Sequence, residues 1–224
     1  RSGWLVECST KLVLAFALSG LVSKLAKGNA SARGWLQVAV FVAITIHGVL
    51  PPSAWATQAD ALFHGHKLGV VADGNRFPTS LTDHRPSFEI PYGFSFYSLL
   101  TPWSSSSAAN VKVVRQSAAF FTTISVVALA LLLARASASL AAASLFLWTF
   151  APVNIRTMAF GNLSNVFAQS VFLLFLSCAA LMRPGLLRSG ILTLLVTLSA
   201  TAHLSSFVVL VVLLALVFSI RQDR

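Results

Sequence analysis

Acidic residues are scarce in this chain: six in 224 residues, against sixteen Lys and Arg, with 10% charged in all. A soluble domain carries about 25% charged residues, so the composition excludes an ordinary soluble fold. Cysteine is also rare. Cys8 and Cys178 are far apart, with no C-x-x-C pair, which excludes a thiolate metal site and leaves both as packing residues. No Walker motif, G-x-G-x-x-G, H-E-x-x-H or nucleophile elbow occurs, so ATP-driven and nicotinamide-driven chemistry are not expected. The basic residues are scattered at the ends of apolar runs, not gathered on one face, so nucleic acid is not an expected partner.

What the chain has in abundance is apolar surface: 56% hydrophobic residues and a mean hydropathy of +0.80. Several runs approach the roughly 20 residues needed to cross about 30 Å of hydrocarbon. The expected fold is all-α, a polytopic transmembrane helical bundle whose partner is the lipid bilayer. The expected location is multi-pass in the plasma (inner) membrane.

The apolar runs set the expected organisation. Residues 1–33 give a short first membrane helix, Leu12 to Ala26, and a basic turn. Residues 34–52 give a second helix, closed by Pro51 and Pro52, which cannot continue helical hydrogen bonding. Residues 53–110 hold most of the Pro, Gly, Asp and His and form a long loop between the second and third spans. Within it Thr57 to Val71 is expected as a short interfacial helix, and Tyr92 to Trp103 as an aromatic run too short to span. Residues 111–224 supply four more spans: Ser117 to Ala134, Ala138 to Val153, Asn162 to Met182, and Ile191 to Ile220. The last would measure about 45 Å as one straight helix, so a break is expected over Ser199 to Ser206, where hydroxyls can satisfy freed backbone groups.

Short loops rich in Lys and Arg stay on the cytoplasmic side. Lys24, Lys27 and Arg33 sit in one such turn, Arg135 in a second, and Arg183 with Arg188 in a third. Counting spans puts all three on one side and the loop 53–110 outside, with Arg156 the one exception on the outer side. Two Asn-x-Ser patterns, at Asn29 and Asn162, fall at a cytoplasmic turn and a membrane edge and are not read as glycosylated.

Four of the six acids, Asp60, Asp73, Asp83 and Glu89, and three of the five histidines, His64, His66 and His84, lie in the loop. Asp60 and His64 are four residues apart, one helical turn, so a helix sets carboxylate and imidazole on one face. Such a pair can bind a cation or share a proton; it also fits a solvated interfacial helix. His64 and His66 are two apart and point to different helix faces. Asp83-His84-Arg85-Pro86 reads either as a substrate-facing acid group with Glu89 or as an ordinary turn.

Further on, Ile90 to Tyr97 punctuates an aromatic run with proline and glycine, Phe160-Gly161-Asn162-Leu163 opens a helix with small and amide residues, and His203 stands between Thr201 and Ser205. In this order, over residues 34–220, these features resemble the GT-C superfamily of integral-membrane glycosyltransferases. The resemblance implies a polyprenyl-phosphate-linked sugar donor and an acceptor on the outer face, with this chain as the amino-terminal membrane portion of a longer protein. It makes Asp60, with His64, the catalytic candidate, as general base or as ligand to a divalent ion, magnesium or manganese. Phosphate and substrate contacts would come from Lys67, Arg76, Asp83, His84, Arg85, Glu89, Tyr92, Arg156, Asn162 and His203. The chain departs from the pattern at Ala59, where many relatives carry a second acid beside the first. Two other readings stand beside the enzyme: a secondary transporter or permease subunit with His203 at a broken helix, and a non-catalytic membrane assembly protein.

Overall fold

The computed structural model describes residues 2–49, 58–74, 79–82, 85–91, 93–152, 154, 163–202, 207–212 and 214–215, with side chains excluded at 2–5, 58–60, 79–82 and 85–91. It is a helical protein. α1 runs Ser2–Leu25, and α2 runs Ala30–Ile44 and continues as a π-helical turn, Thr45–Val49. The loop region holds α3, Gln58–Ala72, then strands β1, Thr79–Thr82, and β2, Arg85–Pro91, paired antiparallel, and the short helix α4, Ser95–Leu100. α5, Ser107–Ala134, is followed by α6, Ala138–Phe150, α7, Leu163–Leu181, and α8, Leu186–Ala202.

Four helices are long and apolar enough to cross a membrane: Val6–Leu25, Ala30–Val49, Ser107–Ala134 and Leu163–Leu181. Large apolar side chains on them face outward; Phe16, Trp35 and Phe120 are each about 60% exposed. Such surfaces suit hydrocarbon and not water. The two other expected spans are shorter here. α6 has 13 residues, about 20 Å at the helical rise. Its end is fixed locally: the Ala151 N–H returns to the Trp148 carbonyl, and Asn154 Nδ2 donates to the same oxygen at 2.7 Å. α8 has 17 residues and stops at Ala202; most of the expected break, from His203 to Ser206, lies outside the described residues.

α5 organises the packing because it carries two cores at different levels. Toward its end, Val126 and Ala130 pack with Ala15 and Val22 of α1, Leu36 and Val40 of α2, and Ala141 and Leu145 of α6. Toward its start, Val114 and Ala118 pack with Leu68 of α3, Phe96 and Tyr97 of α4, Phe167 of α7 and Ala202 of α8. Between α5 and α7 the contact is a seam of small polar residues. Ser125 and Ser170 Oγ are 2.7 Å apart, Ser170 donates to the Phe121 carbonyl at 2.6 Å, and Ser177 donates to the Ala128 carbonyl at 2.9 Å. Small hydroxyl residues let two helix backbones approach and bond across the gap where lipid offers no competing partner. Cys178 packs at the edge of this region, and Cys8 is also a half-buried free thiol.

The three basic turns meet at one end. Lys27 N–H donates to the Ala134 carbonyl at 3.1 Å and Ala138 N–H to the Lys27 carbonyl at 2.8 Å, which ties the first turn to the second. Arg135 donates to the Ala180 carbonyl at 2.6 Å and Arg188 to the Ala179 carbonyl at 2.6 Å. Those two guanidiniums thus close the carboxyl end of α7, where cations are favoured, and bring in the third turn. Asn29, half of a glycosylation pattern, is the cap of α2: its side chain accepts from the Ala32 N–H at 2.8 Å.

Candidate functional site

At the end opposite the basic turns, α3 lies across the start of α5. Two glycines make that approach possible. A Cβ built on Gly65 would stand 2.7 Å from Val111 Cγ2 and 3.0 Å from Val111 N, and one on Gly69 would stand 3.5 Å from the Asn110 amide. α3 was expected over Thr57 to Val71 and is found one residue later at each end. It carries Asp60, His64 and Lys67. On the helical backbone Asp60 and His64 stand one turn apart; the Asp60 carboxylate lies outside the described side chains.

His64 is buried, 3% exposed, and its Nδ1 is 2.6 Å from the Tyr97 hydroxyl of α4. The imidazole lies nearly parallel to the Tyr97 ring, at 6.0 Å, with Phe63 and Phe96 on its edges. His66 is exposed on the other side of α3, as the two-residue spacing requires. Lys67 is partly buried, its ammonium 5.4 Å from the Phe63 ring centroid, a cation–π contact.

The four features that occur in order along the chain converge here, as far as they are described. His64 of α3 bonds Tyr97; Phe96 beside it meets Phe167 of α7 at 5.5 Å, one turn after Leu163. Ser95 donates to the Leu198 carbonyl of α8 at 3.4 Å, and Gly93 sits directly against the Ala202 carbonyl, one residue before His203. Glu89 pairs in register with Leu81, and Arg85 with Thr82, so both acid and cation belong to the hairpin. Their side chains are outside the described set. Arg76, Asp83, His84, Tyr92, Arg156, Asn162 and His203 also lie outside the described residues. The turn reading of 83–84 gains β1 and β2 on either side. Among the described residues no three of His, Cys, Asp and Glu gather as metal ligands.

Two cations went unnoticed in the sequence because they fall between the assigned loop and the assigned third span. Lys112 is exposed; Arg115 is half-buried, and its Nε is buried without a hydrogen-bond partner. Arg115 is one turn beyond Val111, on the part of α5 that α3 covers. The signal that would have found them is the serine run before them: Ser106 caps α5, accepting from the Ala109 N–H at 3.4 Å, which starts the helix ten residues early. Beside this segment an apolar groove of about 440 Å³ opens between Leu99, Trp103, Val113 and Phe121.

Comparison with family models, with curated proteins and with solved structures finds no match for this chain. Function is therefore argued from the site alone.

Proposed function

We propose that this chain belongs to an integral-membrane glycosyltransferase that takes a sugar from a polyprenyl-phosphate donor and transfers it to an acceptor on the outer face of the membrane. In this reading the helices form a polytopic bundle, in the plasma (inner) membrane, with residues 53–110 on its outer side. The observation that carries the proposal is the docking of α3, with Asp60 and His64, on the end of α5 remote from the basic turns, beside an apolar groove. A lipid-linked sugar needs such a junction: apolar wall for the chain, polar groups at the rim for phosphate and sugar.

The chemistry assigns one task to each group. Transfer breaks the bond between the sugar's anomeric carbon and the phosphate oxygen, and forms one from that carbon to the acceptor oxygen. The acceptor's proton goes to the Asp60 carboxylate, acting as general base. The charge left on the departing polyprenyl phosphate is met by cations, for which Arg115 and Lys112 on α5 and Lys67 on α3 are placed at the right level. His64, held by Tyr97, is a positioning residue that fixes the α3 face beside Asp60. The described donor set does not fit a divalent ion, since His64 Nδ1 is engaged by Tyr97 and no third ligand joins it. No step here runs through a metal. The transporter reading rested on His203, outside the described residues, and the assembly reading gives the loop's acids no task.

The test uses proteoliposomes supplied with radiolabelled polyprenyl-phosphate hexoses and a water-soluble acceptor library. Transfer is expected, and Asp60→Asn is expected to slow it about 100- to 10,000-fold, the usual worth of a general base. Full transfer by Asp60→Asn removes the catalytic role of Asp60. Absence of transfer from every donor by folded protein overturns the enzyme reading.

A further inference from the structure

His47 is the least expected polar group in the molecule. It lies in the π-helical turn Thr45–Val49 that ends α2, is 3% exposed, and packs edge-on against Trp148 of α6 at 5.1 Å. Its Nε2 is 3.0 Å from the Thr149 carbonyl. A carbonyl only accepts, so Nε2 carries the ring proton and Nδ1 is the ring's acceptor. The π turn is held in place by close backbone packing: a Cβ on Gly48 would come within 2.5 Å of Thr123 Oγ1 on α5. π turns recur where a helix reshapes itself to present a group.

Next to the ring is a cavity of about 20 Å³ lined by His47, Thr122, Ser125, Trp148, Asn154 and Gln169. A water molecule needs roughly 10–15 Å³ and two to four polar partners; this cavity meets both conditions. The lining also excludes other guests. It holds no carboxylate and no other formal negative charge, so a dehydrated cation would be uncompensated in a low-dielectric layer. Thr122 already donates to the Ala118 carbonyl at 2.9 Å, and Asn154 Nδ2 to the Trp148 carbonyl, which leaves acceptor oxygens on both side chains for a donor. Nearby, Thr149 Oγ1 and Thr45 Oγ1 are buried without hydrogen-bond partners.

We infer that this cavity is a binding site for one water molecule, which donates to His47 Nδ1 and bridges the π turn to α5, Asn154 and Gln169 of α7. The water gives His47 a proton-exchange partner inside the helix layer, at a level between the two cores of α5. This role is separate from sugar transfer and stands whether or not the glycosyltransferase reading holds.

The experiment is water-edited solid-state NMR of ¹⁵N-histidine-labelled protein in lipid bilayers, the His47 signals assigned by their loss in His47→Phe. Expected are a neutral ring protonated at Nε2 and magnetisation passing from water to the His47 ring within milliseconds. Gln169→Leu is expected to abolish that transfer; Thr122→Val, of matched shape, is the second variant should Gln169→Leu fail to fold. A folded wild-type protein whose His47 ring receives nothing from water overturns the proposal. A change in the His47 shifts when sodium and potassium are replaced by choline also overturns it, by showing a cation as the guest.

Discussion

Burial sorts the described histidines by task. His64 and His47 are each 3% exposed, and each spends a ring nitrogen on a partner from another helix, whereas His66 on the same helix as His64 is open. A buried imidazole that loses its partner keeps the desolvation cost, about 1–3 kcal/mol. Tyr97→Phe, which removes only the hydroxyl facing His64, is therefore expected to destabilise by that amount, read as a lower unfolding midpoint in detergent. His64→Phe with Tyr97→Phe should recover part of the loss, because neither polar group is then stranded. A double variant no better than the sum of the two would show that the pair is not coupled. The Asp60–His64 spacing was legible in the sequence because helical periodicity is local. Tyr97 as the partner was not, since 33 residues separate the two and nothing local encodes that contact. His47 was passed over for a different reason: it is a single ionisable residue inside an apolar run, a pattern that itself marks function in a membrane segment.

At the scale of the element, α5 decides where chemistry can sit. Its 28 residues measure about 42 Å, some 12 Å beyond the hydrocarbon thickness. The excess, near Ser107 to Val114, is the part that α3 covers through Gly65 and Gly69. Gly65→Ala is predicted to push α3 off Val111 at a cost of about 1–3 kcal/mol, the usual range for overpacking. Sugar transfer should fall with it while the remaining helices stay folded, as seen by circular dichroism together with the activity assay. Unchanged transfer would show that the α3 docking does not position the site. Apolar runs in the sequence marked the middles of these helices and missed their starts. α1 begins ten residues before the apolar run, where Lys11 and Glu7 form an i,i+4 pair at 2.6 Å, and α5 begins in serines that read as low complexity. Helices extend past their apolar stretch whenever caps and local ion pairs satisfy the terminal groups, and hydropathy is blind to both. The β1–β2 hairpin was likewise unspecified, since four and seven residues of mixed polarity carry little period-2 signal.

At the scale of the molecule, charge is divided by end. Lys24, Lys27, Arg135 and Arg183 are exposed at the end where the three turns are hydrogen-bonded together, and the described acids, Glu7 and Asp73, belong to segments at or beyond the other end. The sequence already implied that the three turns share a side; the backbone bonds from Lys27 to Ala134 and Ala138 now give the physical tie. Such a distribution orients a protein through the basic loops, which are held on the cytoplasmic side. The prediction is made on a background with Cys8 and Cys178 replaced by serine. Cysteine placed at exposed Asp73 should react with a membrane-impermeant maleimide in intact cells, and cysteine at Lys27 only after the membrane is opened. Reaction at position 27 from outside, with position 73 protected, would put α3 on the cytoplasmic face. A lipid-linked sugar presented outside could not then reach Asp60, and the catalytic assignment would fall with the topology, while the water site at His47, buried between helices, would be untouched.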